Sequence, residues 1–113
     1  MTAVLAFVPD LMDRSKVAAA GGDRVRFVST PEALAVELTT ALPDLVVIDL
    51  GRPGALDAVA EVVAAGRSVE PRPRMVGFGS HVDRDLLDAA QAAGCDEVLA
   101  RSAFFGRLTD LLA

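Results

Sequence analysis

Short apolar runs alternate with helix-like segments along the whole chain, and this alternation restricts the possible folds more than any other feature. The runs lie at residues 3–8, 25–29, 45–48, 75–78 and 97–100. Each is followed by a segment in which apolar residues recur at helical spacing. Strands that alternate with helices pair in parallel, because each crossover helix returns the chain to the same end of the sheet.

Residues that begin and end helices lie between these runs. Asp10 follows the first run at a helix N-cap position, and Thr30 precedes a proline and an acid at the start of the second helix. Glycines at 21–22, 66 and 94 close three helices. The second helix is predicted to bury a stripe that consists of Leu34, Leu38, Ala41 and Leu42. A single last helix is predicted from Phe104 onward.

Five strand–helix units are too few for an eight-stranded barrel, which leaves an open, doubly wound sheet. We therefore predict a three-layer α/β/α sandwich with a five-stranded parallel sheet in the order 2-1-3-4-5. A chain of 113 residues that is 52% hydrophobic fits one domain over residues 1–113. In such a sheet a site forms beyond the carboxyl ends of the strands, near the switch point between strands one and three.

Composition argues against several classes of function. The net charge is −5 and Lys16 is the only lysine, so we expect no nucleic-acid partner. Cys95 is the only cysteine, which excludes an intrachain disulfide. The first residues lack the basic region and cleavage site of a signal peptide, and no apolar stretch reaches membrane-span length. We expect a cytoplasmic protein without a membrane partner.

Two carboxylates are predicted to converge at the switch point. Asp10 follows strand one, and Asp49 ends strand three, which should be its neighbour in the sheet. Carboxylates that share a partly dry site repel each other unless a cation joins them. Mg²⁺ suits such a pair, since it binds one or two carboxylates together with water and phosphate oxygens. An aspartate beside Mg²⁺ is also a plausible phosphoryl acceptor.

The segment PDLVVIDL at residues 43–50, followed by Pro53, resembles the strand-three signature of response-regulator receiver domains, and AAGCDEVL at 92–99 resembles their helix-four to strand-five segment. The resemblance covers essentially the whole chain. It implies a CheY-like, flavodoxin-like fold and a stand-alone, non-enzymatic signalling module of a two-component phosphorelay. Asp49 would accept a phosphoryl group from a histidine kinase, and Asp10, Asp49 and the Gly51 carbonyl would hold Mg²⁺. Output would be contact with a downstream protein partner.

Three positions depart from the receiver pattern. Pro9 replaces the first of two adjacent acids after strand one. The hydroxyl expected at the end of strand four falls on Gly79, with Ser80 one residue later, and the sequence leaves open which residue takes that place. Arg101 and Ser102 replace a lysine and a proline after strand five. We predict that Arg101 forms a standing ion pair with Asp49. If Asp49 is phosphorylated, Arg101 and Ser80 would form contacts with the phosphoryl group.

Alternatives follow from these departures. The chain is also consistent with a phosphorylation-independent pseudo-receiver that acts as an interaction or dimerisation module. In the second case its partner would be another copy of the chain, in a homodimer. A flavin, nucleotide or cobalamin-binding domain is a third interpretation, although strand one lacks a glycine-rich loop after it and the chain has no Trp or Tyr. Asp13 is interpreted as a partner of the helix dipole, and Cys95 as a small buried core residue.

Overall fold

The structure, a computed structural model, describes residues 2–113 and confirms the predicted sheet. Five strands pair in parallel in the order β2-β1-β3-β4-β5. The strands are β1 (Val4–Phe7), β2 (Val25–Phe27), β3 (Leu45–Asp49), β4 (Arg74–Gly79) and β5 (Glu97–Ala100). The central strand β3 is buried along its whole length, as its unbroken apolar sequence predicts for a strand that is covered on both faces.

Within residues 2–113, six α-helices connect and follow the strands, and a short 3-10 helix (Gly22–Arg24) precedes β2. The α-helices are α1 (Leu11–Gly21), α2 (Ala33–Ala41), α3 (Ala55–Gly66), α4 (Arg84–Ala93), α5 (Arg101–Gly106) and α6 (Leu108–Leu111). The single last helix predicted from the sequence is therefore two short helices. The break falls at Gly106 and Arg107, where glycine weakens the helix. No helix within residues 2–113 is both long enough and apolar enough to cross a bilayer.

The sheet separates two apolar cores, and this confirms the three-layer architecture. On one face, Phe7 and Ile48 pack with residues of α2, α3 and α4. On the other, Val8 and Val47 pack with residues of α1, α5 and α6. Alternate strand residues enter opposite cores, since successive side chains of a strand point to opposite faces. Each large aliphatic or aromatic side chain buried in this way contributes roughly 1.5–3 kcal/mol.

Leu42 corrects one part of the predicted core. It was expected in the buried stripe of α2, but the residue is 60% exposed. The helix ends at Ala41, and Leu42 takes a left-handed conformation with φ of 47° while its N–H donates to the Leu38 carbonyl. This helix-ending geometry turns the side chain away from the core, and glycine is the residue usually found there.

We predict that Leu42→Gly stabilises the protein. A non-glycine residue in the left-handed region costs about 1–2 kcal/mol, and glycine loses about 0.4–1 kcal/mol through unfolded-state entropy. The free energy of unfolding, measured by urea titration, should therefore rise by about 0.5–1 kcal/mol. Leu42→Ala is the control: it keeps Cβ and should change stability little. An equal gain in both variants would show that the conformation of residue 42 is not the cause.

Candidate functional site

The carboxyl edge of the central strands brings Asp10 and Asp49 to the same end of the sheet. Strands β1 and β3 are parallel neighbours, with Phe7 paired to Ile48. Asp49 is the next residue of β3, and Asp10 follows β1 after a short loop. Arg101 begins α5 directly after β5. Its pKa is raised, first by hydrogen bonding to Asp13 and further by the charges of Asp13, Asp49 and Asp10, so these groups act on one another at one edge.

The loop that follows β3 holds the carboxylate of Asp49. Asp49 is only 7% exposed, and its Oδ1 accepts a hydrogen bond of 3.0 Å from the backbone N–H of Gly51. The other oxygen, Oδ2, lies 3.6 Å from Nε of Arg52. An aspartate that binds the backbone two residues ahead stabilises a tight turn. Asp49 therefore has one oxygen engaged in the turn and one facing an exposed cation.

Asp10 is the N-cap of α1, as the sequence predicts. Its backbone is extended, and Oδ1 accepts a hydrogen bond of 3.0 Å from the N–H of Asp13. This bond satisfies one of the free amides at the start of the helix. One oxygen of Asp10 is therefore committed to the helix.

Arg101 binds Asp13, and the prediction that it pairs with Asp49 is wrong. Its Nη1 lies 2.7 Å from Asp13 Oδ2 and its Nη2 lies 2.5 Å from Asp13 Oδ1. Asp13 is buried, so its charge needs a partner in direct contact, and the guanidinium fork matches both oxygens. Asp49, by contrast, already accepts the Gly51 amide and faces Arg52. Arg101 therefore binds Asp13, because both oxygens of that carboxylate can accept hydrogen bonds from the guanidinium.

The burial of Asp13 was missed, although the sequence holds a signal for it. Asp13 lies four residues before Val17, which is fully buried in the core beneath α1. Residues four apart share one face of a helix, so Asp13 had to face inward as well. The hydrogen bonds from Arg101 lower the pKa of Asp13 and outweigh its burial, which acts in the opposite direction. Asp13 is therefore a charged, buried member of the site.

Two aromatic rings lie at cation–π distance from the guanidinium of Arg101. The Arg101 guanidinium carbon lies 5.2 Å from the ring centre of Phe105 and 5.9 Å from that of Phe78. Phe78 stacks on Phe104 with ring centres 4.3 Å apart. Phe104 is fully buried in the core that α1, α5 and α6 cover, and Phe105 is partly buried against it. Cation–π contacts restrict the guanidinium in addition to its hydrogen bonds.

The last residue of β4 is a glycine, so the carboxyl end of this strand carries no hydroxyl group. Strand β4 ends at Gly79, which pairs with Ala100 of β5. Ser80 lies beyond the strand and is exposed, and its Oγ accepts a hydrogen bond of 3.4 Å from the N–H of Val82. Gly79 therefore occupies the strand end and Ser80 belongs to the loop, and a role of Ser80 in contacting a phosphoryl group stays a prediction.

Most carboxylate oxygens of Asp10, Asp13 and Asp49 already accept hydrogen bonds from the protein. No group of three His, Cys, Asp or Glu residues within residues 2–113 is arranged to hold a metal ion. Both oxygens of Asp13 bind Arg101, one oxygen of Asp10 caps α1, and Pro9 supplies no carboxylate. Oδ1 of Asp49 accepts the N–H of Gly51, so one oxygen of Asp49 is engaged as well. The predicted Mg²⁺ role of Asp10, Asp49 and the Gly51 carbonyl stays a prediction.

Cys95 lies away from this edge, and burial makes it a core residue as predicted. It is 5% exposed in the core that α3 and α4 cover. Burial raises the pKa of its thiol to about 12, and the charge of Asp96 acts in the same direction. The thiol is therefore protonated at neutral pH and is not a nucleophile there.

Comparison with known proteins identifies the fold. No family model matches the sequence, and no curated protein matches it either. Among solved structures, a response regulator from Hahella chejuensis is similar with a TM-score of 0.79 and 20% identity, over 99% of this chain and 92% of that one. The receiver domain of NtrX from Brucella abortus has a TM-score of 0.77 and 17% identity, with 96% and 92% covered.

A third similar structure is the Mn²⁺-bound form of the response regulator Rcp1, with a TM-score of 0.74 and 13% identity over 98% of this chain and 91% of that one. The chain therefore has the fold of a response-regulator receiver domain, which confirms the resemblance at the level of fold. Sequence identity is low throughout, so the chemistry has to be argued from this chain's own residues.

We predict that Asp13→Asn lowers the free energy of unfolding by about 2 kcal/mol near neutral pH. Breaking a fully buried ion pair costs about 3–5 kcal/mol, and solvent reduces this cost because the Arg101 side chain is 46% exposed. Urea titration of both proteins measures the difference. Glu97→Gln, which breaks more exposed ion pairs with Arg107 and Arg74, is the control and should cost under about 1 kcal/mol.

The stability difference between the wild type and Asp13→Asn should also depend on pH. The pKa of Asp13 is lowered in the folded state, so its contribution is complete above the unfolded pKa of about 3.9. It is lost as the pH falls through the still lower folded pKa. Urea titrations from neutral pH downward should show the difference shrinking in that acidic window. A difference that stays constant throughout would contradict a charged Asp13.

Proposed function

We propose that this protein is a receiver-like signalling module that acts by binding a protein partner, without enzymatic activity and without phosphorylation of Asp49. The observation that carries the proposal is the bidentate ion pair between Arg101 and buried Asp13. This pair commits the cation at the end of β5 to α1. It favours the pseudo-receiver interpretation over the phosphoacceptor interpretation.

Few cationic and hydrogen-bond-donating side chains are positioned to stabilise phosphoryl transfer to Asp49. Transfer requires cations and hydrogen-bond donors aimed at the oxygens of the moving group. Arg101 bonds to Asp13, and Gly79 brings no hydroxyl to the tip of β4. Arg52 remains beside Asp49 at 3.6 Å, but its side chain is 42% exposed and its charge is screened by solvent. A phosphoryl group on Asp49 would therefore meet few fixed partners.

Exposed apolar side chains support a role in protein contact. Leu11 and Met12, in the first turn of α1 beside Asp10, are 78% and 72% exposed. Val82, in the loop after β4, is similarly exposed. Neighbouring exposed apolar side chains, such as those of Leu11 and Met12, are typical of partner-binding surfaces, and the net charge of −5 disfavours nucleic acid as that partner. A downstream protein or a second copy of the chain fits these properties.

The second candidate is a phosphoacceptor in a two-component phosphorelay. It is favoured by the position of Asp49 at the carboxyl end of β3, with an Oδ2 that makes no closer described contact than 3.6 Å. In this reaction Oδ2 attacks the phosphorus of a phosphohistidine on a kinase. The P–N bond breaks, an aspartyl phosphate forms, and histidine is released. The Mn²⁺-bound Rcp1 structure supports a divalent cation, such as Mg²⁺, in this alternative.

Treatment with a phosphodonor separates the two candidates. We expect that acetyl phosphate with Mg²⁺ leaves the intact mass of the protein unchanged, and that beryllofluoride with Mg²⁺ shifts no backbone NMR signals at residues 49–52 or 79–80. A receiver domain with proven phosphoacceptor activity, treated in parallel, controls for the reagents. The state of association, measured by sedimentation, should be the same for the wild type and Asp49→Ala.

A mass gain of one phosphoryl group that disappears in Asp49→Ala would overturn the proposal and establish the phosphorelay alternative. A gain that persists in Asp49→Ala would place the modification elsewhere on the chain. It would leave Asp49 without a role as acceptor.

A further inference from the structure

We propose that the exposed face of α1 binds an acidic segment of a different protein, and that this segment also carries large apolar side chains. The α1 face, as we name it, consists of Leu11, Met12, Arg14 and Lys16, all of which are exposed. The inference rests on the proposed function and deepens it, since it names the chemistry of the partner.

The charge of the α1 face is opposite to the charge of the whole chain. Arg14 and Lys16 are exposed, and the other exposed residues of the helix are uncharged. The one acid within α1, Asp13, is buried and bonded to Arg101. The chain contains 16 acidic residues against 11 lysines and arginines, so an exposed helix face with two cations and no acid differs from the average surface. Such a face favours an acidic partner.

The protein itself does not neutralise these two cations. No ion pair described within residues 2–113 includes Arg14 or Lys16. Both lie against aromatic rings instead: the guanidinium carbon of Arg14 is 4.5 Å from the ring centre of Phe27, and Nζ of Lys16 is 5.1 Å from that of Phe105. Cation–π contacts restrict a side chain and leave its positive charge in place. Carboxylates of a partner therefore meet two cations that lose less entropy on binding.

Large apolar side chains adjoin the cations on this face. Leu11 is three residues before Arg14, and Met12 is four residues before Lys16, so each of these pairs shares one side of the helix. Burying the highly exposed Leu11 and Met12 against an apolar surface is favourable. A small apolar centre with charged groups at its rim is typical of protein–protein interfaces. The complementary surface combines large apolar side chains with Asp or Glu.

A second copy of the chain is a poor occupant of the α1 face. Two α1 faces in contact would bring Arg14 and Lys16 of one copy against the same cations of the other, and like charges repel. An acidic helix of a second copy, such as α4 with its exposed Asp85 and Asp88, gives a different kind of contact. Helices α1 and α4 cover opposite faces of the sheet, so this contact joins unlike surfaces and extends into rings or filaments.

An anionic membrane is also an acidic surface, and helices with basic and apolar residues can lie on one. The structure favours a protein over a membrane for two reasons. The side of α1 that includes Val17 is buried in the core, so the large apolar side chains that could enter lipid are Leu11 and Met12 alone. The chain as a whole carries a net charge of −5, which anionic lipids repel.

The test is a titration of the labelled full chain with a synthetic peptide, followed by backbone NMR signals. The probe is a helix-forming peptide of about 18 residues with leucine on one face and glutamate on the other. We expect the shifts to concentrate at residues 11–19 and the affinity to fall as salt is added. A peptide with lysine in place of glutamate should bind at least about tenfold more weakly, as should a scrambled glutamate peptide.

Charge reversal on the α1 face is the decisive variant. Arg14→Glu/Lys16→Glu should lose at least about tenfold in affinity for the glutamate peptide and should bind the lysine peptide more tightly than the wild type does. Arg67→Glu/Arg84→Glu is the matched control, because it changes the net charge equally at exposed arginines outside α1 that have no ion pair described within residues 2–113. It should retain most of the affinity.

A second pair of variants tests the apolar contribution. Met12→Ser should weaken binding of the glutamate peptide about fivefold, because less apolar surface is buried. Val36→Ser, at a residue of α2 that is 71% exposed against 72% for Met12, should leave the affinity unchanged. The urea midpoints of all variants should stay close to that of the wild type, since each substituted side chain is exposed.

Equal affinity for the glutamate and lysine peptides would overturn the inference, as would an equal loss in the Arg67→Glu/Arg84→Glu control or an absence of shifts at residues 11–19. Sedimentation of the wild type with phosphatidylserine vesicles would make a membrane the occupant and contradict it. Self-association that Arg14→Glu/Lys16→Glu abolishes would make a second copy the occupant and contradict it too.

The outcomes for the proposed function are separate, because no phosphodonor enters this titration. Loss of peptide selectivity would reject the α1 face as the acidic partner's site while an unphosphorylated Asp49 still supports the proposed function. A phosphoryl group on Asp49 would contradict the proposed function and leave the peptide result intact.

Discussion

The ion pair between Asp13 and Arg101 is the interaction on which the candidate site depends. It joins the first turn of α1 to the residue that follows β5, two segments that lie 88 residues apart in sequence. A buried carboxylate without a contacting cation is strongly unfavourable, so the packing of α1 against the sheet and the placement of Arg101 require each other. The same contact decides which charges remain for Asp49, and thereby what chemistry the edge supports.

The backbone of the fold was predictable because each local signal agrees with the others. Asp10 caps α1 and Gly22 and Gly94 end helices where the sequence indicated. The apolar run of β3 identified the central strand, and five units fixed the parallel order. The errors arose where local signals compete. Leu42 fits the helical stripe by spacing, but the helix ends one residue earlier and turns it outward.

The candidate site was predictable only in part, and the reason is one of scale. Topology alone brings residues at the ends of β1 and β3 to one edge, so the shared location of Asp10 and Asp49 followed from strand order. The choice of Arg101 between two carboxylates depends on contacts of a few ångströms. Two features decide that choice: Asp13 is buried, and Asp49 already accepts a hydrogen bond from the Gly51 N–H. Alignment of the sequence with the receiver motif shows neither feature.

A fixed internal cation has a different consequence from an exchangeable one. A bound metal or a phosphoryl group can come and go, so a site built around it can take two states. Arg101 is part of the chain and is held by two hydrogen bonds and two rings, which favours one arrangement of β5, α5 and the start of α1. The exposed Leu11 and Met12 extend from that same turn of α1. The proposed binding of a partner without phosphorylation requires a surface that does not depend on an exchangeable group, and a cation fixed in the chain is consistent with that requirement.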